Sequence, residues 1–275
     1  MMRLWMLSAL LAVPLQATAQ PPEIDQAFEQ LYNFNFPAAH DVLNRYIVAH
    51  PQEPLPYAVR GAAYLFFELD RLGILEGEFF VDDKRIADKR QLKPDEQIRA
   101  RFQQAVNDAQ SRATRVLAAN SNDHNALFAM CMTQGLTTDY MALVEKRQIK
   151  SMTPMKISTR YAQTLLRIDP QFYDAYLTTG ITEYMVGSLP FFIRWFVRFD
   201  DVQGSKDRGI SNLQLVAQHG HYLKPFAKIL LAIAYMRDKK PRQTEQLLAG
   251  LTREYPSNPL LRRELAKVES TLADQ

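Results

Sequence analysis

The chain has 275 residues, of which 47% are hydrophobic, and its 33 Lys and Arg against 30 Asp and Glu leave a net charge of only +3. That length is enough for one large domain with a substantial core, and so small a charge excess argues against a nucleic-acid binder, which would show a basic stripe. The single cysteine, Cys131, excludes an intrachain disulfide, so packing alone must supply stability.

The first nineteen residues read as a cleaved signal peptide. Arg3 gives a positive start, Leu4 to Val13 an apolar core, and Ala17-Thr18-Ala19 a small-residue cleavage site before Gln20. The apolar run is about ten residues, half of the roughly 20 that cross a bilayer. The expected destination is outside the cytoplasm, in the periplasm. Residues 20–275 then form a single helical-repeat domain.

Nearly every segment of that domain scans with helical periodicity, and none shows the strict alternation of a strand. Ile24 to Asn33 and Pro37 to Ala49 make a first helix pair, and Pro51 stops the second member. Pro54 to Leu72 follows. Asp95 to Ala119 is the longest helix, with Ile98, Phe102, Ala105, Ala109, Ala113, Val116 and Leu117 on one buried stripe. Asn122 to Thr138 pairs with Pro154 to Ile168, and Phe172 to Val186 with Ser205 to Gln218. Leu223 to Arg237 and Pro241 to Tyr255 form the clearest pair, and Asn258 to Leu272 is a polar capping helix. Cys131 falls in the apolar run Ala126 to Met132 and reads as a buried structural thiol.

Two insertions interrupt this order, near residues 73–94 and 187–204, and function concentrates in such places. The second holds Leu189 to Phe199, an aromatic helix whose apolar surface exceeds one packing face. Phe191, Phe192, Trp195, Phe196 and Phe199 supply that surface, and Arg194 and Arg198 share the remainder. Three readings are open for these seven residues. They anchor a protein partner, with the aromatics buried and the arginines fixing orientation. They lie at a membrane surface, rings inserted and arginines at the headgroups. Or they wedge between repeat layers as core.

The other candidates carry structural explanations. Ser205 is a helix N-cap with Asp207 in the first turn, which accounts for Lys206-Asp207-Arg208-Gly209. Glu76, Glu78, Asp82 and Asp83 are interrupted by Phe79-Phe80-Val81 and lack the alternating oxygens of a calcium loop. His219-Gly220-His221 closes a helix, and no zinc-protease spacing accompanies it. No nucleophile elbow, phosphate loop or dinucleotide glycine pattern occurs. No metal or cofactor is expected, and no catalytic residue is assigned.

Two phrases are near-copies of each other: Leu165 to Pro170 followed by Phe172-Tyr173-Asp174-Ala175-Tyr176, and Leu251 to Pro256 followed by Asn258-Pro259-Leu260-Leu261. Both close one amphipathic helix with proline and open another. This resembles a degenerate tetratricopeptide repeat. Aligned on Pro256, Leu231, Ala232, Tyr235, Leu248 and Leu251 take contact positions, while Thr244 stands where alanine is usual, which predicts looser packing there. Aligned on Pro170, Gly180 takes the position of closest approach, and aligned on Pro51, Ala27, Ala39 and Leu43 take contact positions.

From Phe172 to Asn258 the chain resembles exported bacterial tetratricopeptide proteins of undefined function. It is also distantly similar to a eukaryotic tetratricopeptide family associated with the mitochondrial outer membrane and lipid metabolism. In that family a comparable Ser-Leu-Leu-Pro segment precedes a glycine-rich turn, matched here by Gly187-Ser188-Leu189-Pro190 and Asp207-Arg208-Gly209-Ile210, where the glycine comes early. The resemblance implies a curved helical scaffold and transfers no catalytic residues.

The expectation is therefore an all-α, right-handed superhelix of antiparallel helix pairs. Its function would be non-catalytic binding or scaffolding in the cell envelope, with a protein or peptide as partner. The alternative is a peripheral lipid-binding protein that uses the 189–199 helix on a membrane surface. The second alternative is an enzyme with an unrecognised site.

Overall fold

A computed structural model describes residues 21–77, 92–188 and 204–274. They form eleven α-helices: α1 (Pro22–Tyr32), α2 (Phe36–Ala49), α3 (Leu55–Arg71), α4 (Glu96–Ala119), α5 (His124–Asp139), α6 (Gln148–Ile168), α7 (Ala175–Ser188), α8 (Lys206–His219), α9 (Lys224–Arg237), α10 (Pro241–Glu254) and α11 (Pro259–Ala273). No strand occurs among the described residues. The fold is all-α, and each helix packs on the next in chain order, most extensively α5 on α6 and α7 on α8.

Two kinds of turn alternate. Within a pair, α1 passes to α2 through a left-handed residue, Phe34 at φ 61°, while the Asn35 N–H bonds the Gln30 carbonyl at 2.9 Å. The α9–α10 turn repeats this with Lys239 at φ 55° and the Lys240 N–H on the Tyr235 carbonyl at 2.9 Å. In both, the left-handed residue satisfies carbonyls the helix end would leave bare.

Between pairs the closure is different and recurs four times. His50, Asn120, Asp169 and Tyr255 each leave the helix with φ between −126° and −140° and positive ψ. Three residues on, the N–H of Glu53, Asp123, Phe172 and Asn258 returns to that residue's carbonyl at 3.1–3.2 Å. Asp123 and Asn258 then cap the next helix with their side chains. The near-copies in the sequence are these turns.

Small residues set the spacing of the axes. Ala27, Ala39, Ala63, Ala109, Ala113, Ala129, Ala162 and Ala227 are fully buried at the crossings. Closest is α7 on α8. A Cβ on Gly180 would lie 3.2 Å from Asn212 Cβ, and one on Gly209 would lie 2.6 Å from the Tyr184 nitrogen. Gly180 thus occupies the close-approach position expected of it.

Two local readings are corrected, and one segment is new. Helix α6 begins at Gln148 and runs through Pro154, whose missing N–H deprives the Lys150 carbonyl of its i+4 donor. Ahead of it, Tyr140–Val144 form a π-helical segment, with the Glu145 N–H on the Tyr140 carbonyl at 3.1 Å. Thr244 does not loosen the α9–α10 crossing. It is fully buried, and its hydroxyl bonds the Lys240 carbonyl at 3.1 Å and the Ala232 carbonyl across the pair at 3.4 Å. The hydroxyl meets its demand locally, so alanine-like packing survives.

One apolar core runs from Ile24 in α1 to Leu231 in α9. Helix α1 meets the C-terminal helices on it. The Tyr32 hydroxyl donates to the Tyr222 carbonyl at 2.8 Å, and the Asn258 side-chain amide donates to the Tyr32 carbonyl at 2.7 Å. Phe66 of α3 packs edge-on against Phe226 of α9 with ring centres 5.5 Å apart.

Candidate functional site

The turn between α8 and α9 breaks the pattern of the other four. Gly220 closes α8 at φ −57°, a conformation open to any residue. Glycine is needed there for space. A Cβ would come within 2.8 Å of the Asp174 carboxylate and 2.7 Å of the Val216 carbonyl.

Asp174, at the entry to α7, builds this turn from outside. Its Oδ1 accepts the N–H groups of His221 and Leu223, each at 3.0 Å, and its Oδ2 accepts that of Tyr222 at 2.9 Å. Leu223, the residue before α9, makes no cap of its own. A carboxylate from the previous helix pair therefore serves the positive N-terminus of α9. Asp174 is 4% exposed. Burial raises its pKa, and the N–H bonds from Tyr222 and Leu223 oppose that rise.

Held in this way, the turn presents His221 and Tyr222 to α1. On α1, Asp25, Phe28, Glu29 and Tyr32 follow in steps of three and four and so share one face. Phe28 stacks on Tyr222 with ring centres 4.8 Å apart, and Tyr32 meets Tyr255 at 5.3 Å. His221 Nε2 lies 2.6 Å from Asp25 Oδ1.

Together with Pro225 these residues line a cleft of about 190 Å³. Among the described residues no lysine or arginine lines it. The cleft is smaller than the roughly 300–1,000 Å³ typical of small-molecule sites and suits a single side chain. Burial and then nearby carboxylates push its three phenols well above their ordinary range. Asp174 and Glu254 act on Tyr32, Asp25, Asp174 and Glu53 on Tyr222, and Glu254 and Glu29 on Tyr255.

A second cavity, of about 290 Å³, lies between α8 and the α9–α10 turn. Lys206, Asp207, Asp238 and Lys240 contribute charges of both signs, and Lys206 is ion-paired with Asp238. The charges lining this cavity balance, so it offers a ligand no net charge. The first one does.

The residues picked out by sequence, Phe191, Phe192, Arg194, Trp195, Phe196, Arg198 and Phe199, lie outside the described residues. So do Glu78, Asp82 and Asp83, while Glu76 lies 3.9 Å from Lys267. Ser205 caps α8 by accepting the Arg208 N–H at 3.2 Å, and Arg208 reaches Glu183 at 3.6 Å. Cys131 is 2% exposed, 3.0 Å from the Thr178 hydroxyl, and burial pushes its thiol up. Among the described residues no cluster could hold a metal ion, and no helix is long and apolar enough to cross a membrane.

Sequence reading missed the cleft. The 3–4 spacing on α1 was visible, but it reads equally well as an ordinary amphipathic face. Nothing local says that this face meets a turn 190 residues away.

Comparison with protein-family models, with curated proteins and with solved structures found no match to this chain.

Proposed function

We propose that this protein is a non-catalytic binding or scaffolding module of the cell envelope that recognises a protein or peptide partner. Its helix pairs would form a tetratricopeptide-like right-handed superhelix, exported by the segment ending at Ala19. The observation that carries the reading is the cleft between α1 and the α8–α9 turn. It is side-chain sized, walled by aromatic rings, and set on a scaffold of packed helix pairs. Rigid aromatic walls around a small pocket are the usual form of an anchor site in a protein interface.

Panning residues 20–275 against a random displayed peptide library tests this. The reading expects enrichment of a sequence class whose binding is lost when Tyr255 is replaced by Leu in a variant that still unfolds cooperatively. Enrichment of none would count against it. Export is checked separately by sequencing the N-terminus of the protein recovered outside the cytoplasm, which should begin at Gln20.

A further inference from the structure

We infer that the cleft lined by Asp25, Phe28, Glu29, Tyr32, Tyr222 and Tyr255 receives the cationic side chain of a lysine or arginine carried by a protein partner. This rests on the peptide-binding reading above and specifies which residue the site takes.

Three features converge on a cation. The rings of Phe28, Tyr32, Tyr222 and Tyr255 are gathered within 4.8–6.3 Å of one another in their contacting pairs. Aromatic faces attract ammonium and guanidinium groups electrostatically, and more strongly when the cation is desolvated. The charged groups of the lining are carboxylates, with the His221 imidazole beside them. Asp25 and Glu29 line the cleft, Glu254 stands beside Tyr255, and Asp174 lies beneath the turn. Glu254 is ion-paired with Lys228 at 2.8 Å, whereas for Asp25 and Glu29 the described lining holds no lysine or arginine. Among the described residues Asp25 is met only by the His221 imidazole, and Glu29 is exposed.

Size makes the third argument. A volume of about 190 Å³ admits one long side chain and leaves the partner's backbone outside. An apolar side chain would fill the volume and gain nothing from the carboxylates. An acidic one would be repelled by them.

The test uses fluorescein-labelled nonapeptides of alternating Ser and Lys, with counterparts carrying norleucine or Glu in place of Lys, read by fluorescence polarisation. The expected result is saturable binding of the lysine peptide alone. Glu29→Gln should weaken it about 5–10-fold, and so should Tyr255→Leu. Glu269→Gln, an exposed position outside the cleft, changes the net charge equally and should leave binding unchanged. Glu29 is itself exposed, so its variant keeps the test sound should Tyr255→Leu fail to fold. Equal binding of the norleucine or Glu peptide would overturn the cation assignment and leave the binding-module reading standing. So would equal weakening by Glu269→Gln. Binding of no peptide at all would overturn both.

Discussion

Asp174 and Leu223 are 49 residues apart in sequence, and the carboxylate of the first accepts the backbone N–H of the second at 3.0 Å. This bond, with those to His221 and Tyr222, replaces the closure that the other inter-pair turns make within themselves. Removing the carboxylate strands up to three N–H groups at a buried helix start. Asp174→Ala should cost about 3 kcal/mol or more, and Asp174→Asn, which keeps one acceptor, about 1–2 kcal/mol. Urea unfolding of the three proteins checks both values, and a loss below about 1 kcal/mol for the alanine variant would refute this role.

Asn258 caps α11 through the N–H groups of Leu260 and Leu261, and its amide also holds the Tyr32 carbonyl of α1. Asp123 caps α5 in the ordinary way, from the Ala126 N–H. Replacing Asp123 by Ala should cost about 1 kcal/mol, as caps generally do. Asn258→Ala should cost about 2–3 kcal/mol, because the tether to α1 goes with the cap. Equal losses at the two positions would mean that the contact with α1 contributes little.

Two helical glycines make a matched pair. Gly209 in α8 has Tyr184 backbone where a Cβ would go, at 2.6–2.7 Å, whereas Gly250 in α10 has nothing within 4 Å. Alanine favours helix over glycine by up to about 1 kcal/mol. Gly250→Ala should therefore stabilise by about 0.5–1 kcal/mol. Gly209→Ala should destabilise by about 2–3 kcal/mol, since two backbones must separate. Thermal melts of both variants decide the matter.

Loss of solvation raises the carboxyl pKa of the half-buried Asp139, just before the π-helical segment, from its ordinary value of 3.8 to about 7. A folded-state pKa above the unfolded one means that the native state holds the proton more tightly. The stability tied to protonation is complete below about pH 4 and is lost as pH rises through about 7. Asp139→Asn should match the wild type near pH 4 and be more stable at pH 8. Partial exposure screens the effect to about 1–2 kcal/mol. Unfolding curves at the two pH values test it, and a variant no more stable at pH 8 would contradict the sign.

The all-α class and the packing of neighbouring helices were legible because they rest on local signals. The 3–4 stripe of the Asp95 to Ala119 helix, the prolines behind Ala49 and Ile168, and the small residues at Ala27, Ala39 and Gly180 each report a short-range requirement. What stayed hidden was long-range. Gly220 read as a routine helix end because the carboxylate that demands it arrives from Asp174, one helix pair earlier. Pro154 read as a helix start because its ring sits in a helix that tolerates the lost N–H. The cleft was invisible because Tyr222 and Tyr255 are turn residues with no periodicity, and only folding brings them to α1.

The measurement that reaches the central claim most directly is a titration of the ring signals of the protein's 12 tyrosines and 5 histidines by two-dimensional NMR, with the serine–lysine nonapeptide as ligand. The account predicts saturable shifts confined to Tyr32, Tyr222, Tyr255 and His221, absent with the glutamate peptide. Shifts centred on other tyrosines, or none in a peptide that binds, would place the site elsewhere and contradict the account.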